Sequence, residues 1–245
     1  MDYLISITHT LTKQTMNIST FKNYIESAPE GVSDWKTWES SLPTFASLAP
    51  VLEFINEVQW SKDNWKAIRA FIRKGYLEQN LPSESIENND HVNIFNSKID
   101  NIEIFKSKSL SLSIVRSLES VNLLSESIEA LSISHASKLS KITGNIENLK
   151  FLSLNKCPKL NIDSIMHSLE DIKILDMSSN KQLLNIEALH GNSSILALYL
   201  SDTNVIKHEK TIDTLTSMRN LERVWIKANK RQLDELREAL PNIVN

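Results

Sequence analysis

A chain of 245 residues is long enough for one large or two small domains around a sizeable buried core. With 41% apolar residues, 23% charged residues and a net charge of -3, it has no basic excess to draw it toward nucleic acid. A single cysteine allows no disulfide within the chain, and no run approaches the roughly 18 apolar residues of a membrane span.

The opening stretch MDYLISITHTLTKQTMNIST lacks the basic segment and unbroken apolar core of a secretory signal. The expectation is a cytoplasmic protein, with secretion by a route that needs no cleaved signal as the alternative. Residues 1–85 read as a helical region rich in tryptophan, holding Trp35, Trp38, Trp60 and Trp65. SDWKTW and LAPVLEFINEV each predict a helix. SKDNWKAIRAFIRKG predicts a third, with Ser61 as N-cap, an apolar stripe of Trp65, Ile68, Phe71 and Ile72, and Gly75 as its stop. Aromatic residues at that spacing are read as core rather than as a ligand cage.

The polar stretch EQNLPSESIENNDH closes this region. Beyond it, HVNIFNSKIDNIEIF alternates apolar and polar residues, so Val92, Ile94, Ile102 and Ile104 are candidates for one or two degenerate strands. A repeat then takes over. Leu149, Leu152, Leu154, Cys157 and Leu160 follow the spacing L-x-x-L-x-L-x-x-C-x-x-L. The same spacing starts at 107 (with Ser107 in the first slot), 128, 149, 172, 195 and 221, at intervals of 21, 21, 23, 23 and 26 residues.

This pattern resembles the leucine-rich repeat family over roughly residues 107–229. The resemblance implies an α/β fold: a leucine-rich repeat solenoid over 86–230, with a curved parallel sheet on its concave face and helices or irregular segments on its convex face. The all-helical region 1–85 precedes it. In each repeat the fourth and sixth residues should point inward and the third, fifth and seventh outward. The ninth turns inward beneath the strands, where asparagine can bond adjacent turns; that column reads Val115, Ala136, Cys157, Asn180, Thr203 and Asn229. Helical spacing recurs in NIDSIMHSLEDI and KTIDTLTSMRNL. Residues 231–245 should form a capping helix with Leu233, Leu236 and Leu240 on one face.

No common catalytic pattern is present. Cys157 falls at an inward position, where a free cysteine behaves as a small hydrophobe and not as a nucleophile activated by a neighbouring base. The six histidines are scattered, HExxH and C-x-x-C are absent, and neither common phosphate-cradling glycine motif occurs, so no metal and no cofactor are expected. Some bacterial leucine-rich repeat effectors carry a cysteine-dependent ubiquitin ligase domain, but this chain has neither the extra length nor a second cysteine for one. The protein is therefore read as non-catalytic; the competing reading is an enzyme using Cys157.

Binding is expected on the outward columns. The third runs Ser109, Ala130, Phe151, Ile174, Ala197, Arg223, and the fifth Ser111, Ser132, Ser153, Asp176, Tyr199, Trp225. The seventh runs Ser113, Ser134, Asn155, Ser178, Ser201, Lys227. Early repeats present small residues, whereas late ones combine aromatic rings and charge. Trp, Tyr and Arg are the usual anchors of protein interfaces. Asp176, Tyr199, Asp202, Arg223, Trp225 and Lys227 are accordingly the candidate partner-binding residues, with packing of Trp225 on the C-terminal helix as the competing reading. The expected partner is one protein, not nucleic acid. A bacterial immunity-type inhibitor of a cognate toxin and an adaptor or translocated effector acting on a host protein are the two forms this takes. The Asn-, Lys- and Ile-rich composition suits an AT-rich microbial genome.

Overall fold

The computed structural model describes residues 18–29, 32–43, 48–57, 62–77 and 91–241. Ser61 and Trp60 lie outside them, as does the side chain of Trp65. The chain divides into two compact units, Met1–Asn93 and Ile94–Asn245.

The first unit contains four helices, α1 (Ile18–Glu26), α2 (Val32–Ser40), α3 (Ala49–Glu57) and α4 (Lys62–Phe71). Helix α1 packs against α3 and α4. Phe21 and Phe71, both fully buried, meet edge to face with centroids 4.8 Å apart. Trp35 lies against Trp38 at 4.8 Å, and Lys66 Nζ sits 3.8 Å from the Trp35 ring centre. Of these two tryptophans, Trp38 is buried and Trp35 half-buried. Gly75, expected to end the third predicted helix, does not: α4 widens into a π-helical turn over Ile72–Leu77 that runs through it. Ile72 and Leu77, at its two ends, are both buried, and their burial offsets the entropy cost of a helical glycine.

The second unit is mixed α/β. The strands are β1 (His91–Phe95), which runs across the boundary between the units, β2 (Asn101–Ile104), β3 (Ser109–Ser113), β4 (Ser120–Leu123), β5 (Ala130–Ser134), β6 (Lys141–Gly144), β7 (Phe151–Asn155), β8 (Ile174–Asp176), β9 (Ala197–Leu200) and β10 (Arg223–Ile226). They form a seven-stranded sheet ordered β1-β3-β5-β7-β8-β9-β10 and a three-stranded sheet ordered β2-β4-β6. Every recorded pairing is parallel.

Register in the large sheet follows the repeat residue for residue. Leu110 pairs with Leu131, Leu131 with Leu152, Leu152 with Leu175, Leu175 with Leu198, and Leu198 with Val224. A slip of one residue would turn each of these leucines to the opposite face, so the repeated spacing allows only this alignment. All are buried, together with Val115, Ala136 and Cys157 where the chain turns under the strands.

The three-stranded sheet departs from the expectation of helices or irregular segments on the far side of the early repeats. Ile102, Ile104, Val121, Leu123 and Ile142 alternate with exposed or half-buried polar residues, and their burial selects strands. After β6 the far side is helical: α5 (Ile162–Met166), 3-10 turns at Glu187–Leu189 and Val205–Lys207, and α6 (Thr211–Ser217). Helix α7 (Lys230–Ala239) follows the last strand with Leu236 fully buried.

Candidate functional site

The late strands place the predicted residues in one transverse row. Asp176 pairs with Tyr199, and Tyr199 with Trp225. Neighbouring strands lie ~4.8 Å apart, a spacing that lets two flat rings stack face to face. The Tyr199 and Trp225 rings do so, with centroids 4.1 Å apart and planes 1° from parallel. Strand β10 ends the sheet order, so among the described residues no further strand pairs beyond Trp225.

Exposure rises across this row. Asp176 is 0% exposed, Tyr199 is 4% exposed, and Arg223 and Trp225 are half-buried. The Asp176 carboxylate is held from several directions: Ser153 Oγ donates to it at 3.3 Å, Asn155 Nδ2 at 3.4 Å, and the Ser178 backbone N–H at 3.0 Å. The third column, expected to face outward, is buried at Ser109, Ala130, Phe151, Ile174 and Ala197; four of these five are apolar, which is the composition burial demands.

Asp202 and Lys227 lie at the C-terminal edge of the strands. Lys227 Nζ is 3.5 Å from Asp202 Oδ1, with the two side chains 78% and 55% exposed. Asp202 has φ of +56°, the left-handed conformation that aspartate tolerates better than most residues. Arg223 Nη1 donates to the Glu222 carbonyl at 3.0 Å. Burial pushes the Glu222 carboxyl above its ordinary range, and the Arg223 charge pulls partly the other way.

The six predicted residues thus divide by role. Trp225, Arg223, Asp202 and Lys227 have accessible surface; Tyr199 backs the Trp225 ring; Asp176 is locked inside a hydrogen-bonded cluster. Periodicity could not distinguish these roles, because it fixes which face a side chain takes and not what lies beyond that face.

Two inward positions complete the account. Cys157 is fully buried, and burial pushes its thiol up to about 12, far from a nucleophilic thiolate at neutral pH. Its backbone N–H donates to Asn180 Oδ1 at 3.0 Å, while Asn180 Nδ2 donates to the carbonyls of Leu154 and Met177. Asn229, assigned from sequence to the same inward column, is instead exposed and caps α7. Its side chain accepts from the Gln232 N–H at 3.0 Å, and Gln232 Oε1 accepts from the Asn229 N–H at 3.1 Å. The helix that follows at once leaves no further turn for Asn229 to bridge.

Sequence reasoning also missed a recurring left-handed residue just after the strands: Asn96, Ile114, His135, Lys156, Ser179 and Asp202, with φ between 50° and 64°. The signal was available as the eighth repeat position, but its residue types are too mixed to stand out.

Among the described residues, no three His, Cys, Asp or Glu side chains gather to hold a metal ion, and no helix is long and apolar enough to cross a membrane. No protein-family model and no curated protein matches the chain.

Proposed function

We propose that residues 86–230 are a leucine-rich repeat solenoid, capped by 231–245 and preceded by the helical region 1–85, that binds one protein partner through its last turns without catalysis. The observation that supports this most is the Tyr199–Trp225 stack on the terminal strand pair. A half-buried tryptophan backed by a buried tyrosine is a rigid aromatic anchor, and such an anchor loses little conformational entropy on binding. Arg223, Asp202 and Lys227 supply polar groups at its margin. The buried, protonated thiol of Cys157 supports the non-catalytic part of the reading.

Photo-cross-linking tests the placement. A photoreactive side chain introduced at Lys227 should yield one discrete adduct with a protein partner, while the same group at Ser113, at the equivalent position of an early strand, should yield none. Equal labelling from both positions contradicts a surface restricted to the late turns.

A further inference from the structure

A cavity of about 380 Å³ lies along the C-terminal ends of the earlier strands, away from Trp225 in sequence and in register. Its walls come from four successive turns and include Arg116, His135, Lys156, Pro158, Ser179 and Lys181. Strand register explains why these residues meet. His135, Lys156 and Ser179 each follow the ends of β5, β7 and β8 in the same left-handed position, which stacks them in one row. Arg116, Pro158 and Lys181 occupy a second row two residues further along. With ~4.8 Å between neighbouring turns, the cationic groups span a distance that flexible Arg and Lys side chains can close around one small ligand.

The charge of this cavity runs against that of the chain. The protein as a whole carries -3, yet Arg116, Lys156 and Lys181 concentrate three positive charges here. No carboxylate among the described residues forms an ion pair with any of them. The left-handed row continues to Asp202, but that carboxylate pairs with Lys227. Lys156 Nζ lies 3.0 Å from His135 Nε2, a contact that requires the imidazole nitrogen to accept and so to be neutral. Desolvation, with the charges of Lys156 and Arg116, lowers the His135 pKa in accordance with that contact. Lys156 is therefore held against a neutral imidazole rather than a carboxylate, and Ser179 lines the same cavity.

We propose that this cavity binds a compact small molecule bearing a phosphate group, with Arg116, Lys156 and Lys181 as its charge-neutralising ligands. A carboxylate would be balanced by one of these cations; a phosphate dianion has the charge and the acceptor oxygens to engage all three. The volume exceeds what a phosphate alone fills and sits at the lower end of small-molecule sites. The Pro158 ring and the aliphatic stems of the basic side chains give the remainder of the ligand an apolar wall.

Calorimetric titration of the full chain with inorganic phosphate and with phenyl phosphate tests the assignment. Both should bind saturably, phenyl phosphate more tightly, with affinity falling as salt is raised. Arg116→Gln, Lys156→Gln and Lys181→Gln should each weaken binding about tenfold, the loss of one charge-assisted contact. All three positions are exposed, so thermal unfolding should stay near that of the parent chain. Lys138→Gln, an exposed neighbour outside the cavity lining, should leave affinity unchanged. No saturable binding by the parent chain overturns the proposal, and so does equal weakening by Lys138→Gln. Vesicles containing phosphatidic acid distinguish the source of the phosphate: binding that these same three variants abolish identifies a lipid headgroup, and its absence a soluble ligand.

Discussion

The early and late strands of the second unit share one sheet register, but the segments between them are bonded by different means. From β2 to β6 the far side is a second sheet, whose backbone groups pair with the neighbouring turn. Serines supplement that ladder: Ser117 donates to the Ile99 carbonyl, Ser137 to Arg116 and Ser140 to Glu119. Beyond β6 the three-stranded sheet gains no further strand among the described residues, and amide side chains take over the bridging. Asn180 reaches the Leu154 carbonyl, Gln182 reaches Cys157, Asn192 reaches Leu169, Asn204 reaches Lys181 and Asn220 reaches Ser193. Buried backbone groups must be satisfied in either half. A strand does this through regular pairing, which confines the chain to short, uniform turns. Asn and Gln do it singly, which permits the longer late repeats and the varied residues they display.

This contrast is broken most severely at Gly144. Its φ is +91°, and a Cβ there would collide with the Leu123 carbonyl on the neighbouring strand β4. Gly144→Ala should cost about 3 kcal/mol or more in urea unfolding, because a side chain is excluded both by conformation and by contact. The corresponding break in the late half is Asn180→Ala. It leaves the Cys157 N–H and the Leu154 and Met177 carbonyls without this buried partner, and should cost about 2–3 kcal/mol. A loss near zero for Asn180→Ala would show that amide bridging does not replace the second sheet.

The smallest change should be a gain. Ile114 occupies the left-handed turn position with φ of +57°, which a β-branched side chain tolerates poorly. Asn96 fills the same position one turn earlier at +50°. Ile114→Asn should raise stability by about 1 kcal/mol, read as an increased urea midpoint with an unchanged slope.

What the sequence disclosed follows from the same physics. The register from Leu110 to Val224 was legible because the leucine-bearing face of each strand is buried, and a misaligned strand would turn its leucines off that face. The columns that bring Tyr199 beside Trp225 were legible for that reason. The second sheet was not, although Ile102 and Ile104 hinted at it: four-residue strands with only one or two buried residues are too short to separate from irregular chain. The capping box at Asn229 and Gln232 was readable three residues apart, but the repeat spacing assigned Asn229 to a different job first. The burial of Asp176, Phe151 and Ile174 was hidden, since alternation says which way a residue points and nothing about what it meets there.

The central proposal is that the surface for the protein partner lies on the late strands and not on the early ones. Its most direct test is the affinity of the cross-linked partner for Trp225→Ala compared with Ser132→Ala, an early-strand residue in the same column, each verified as folded by circular dichroism. Loss of the Trp225 ring should weaken binding by about thirtyfold or more, the effect of removing a central interface anchor worth ~2 kcal/mol, while Ser132→Ala leaves affinity unchanged. Undiminished affinity in folded Trp225→Ala, or an equal loss in both variants, contradicts the account.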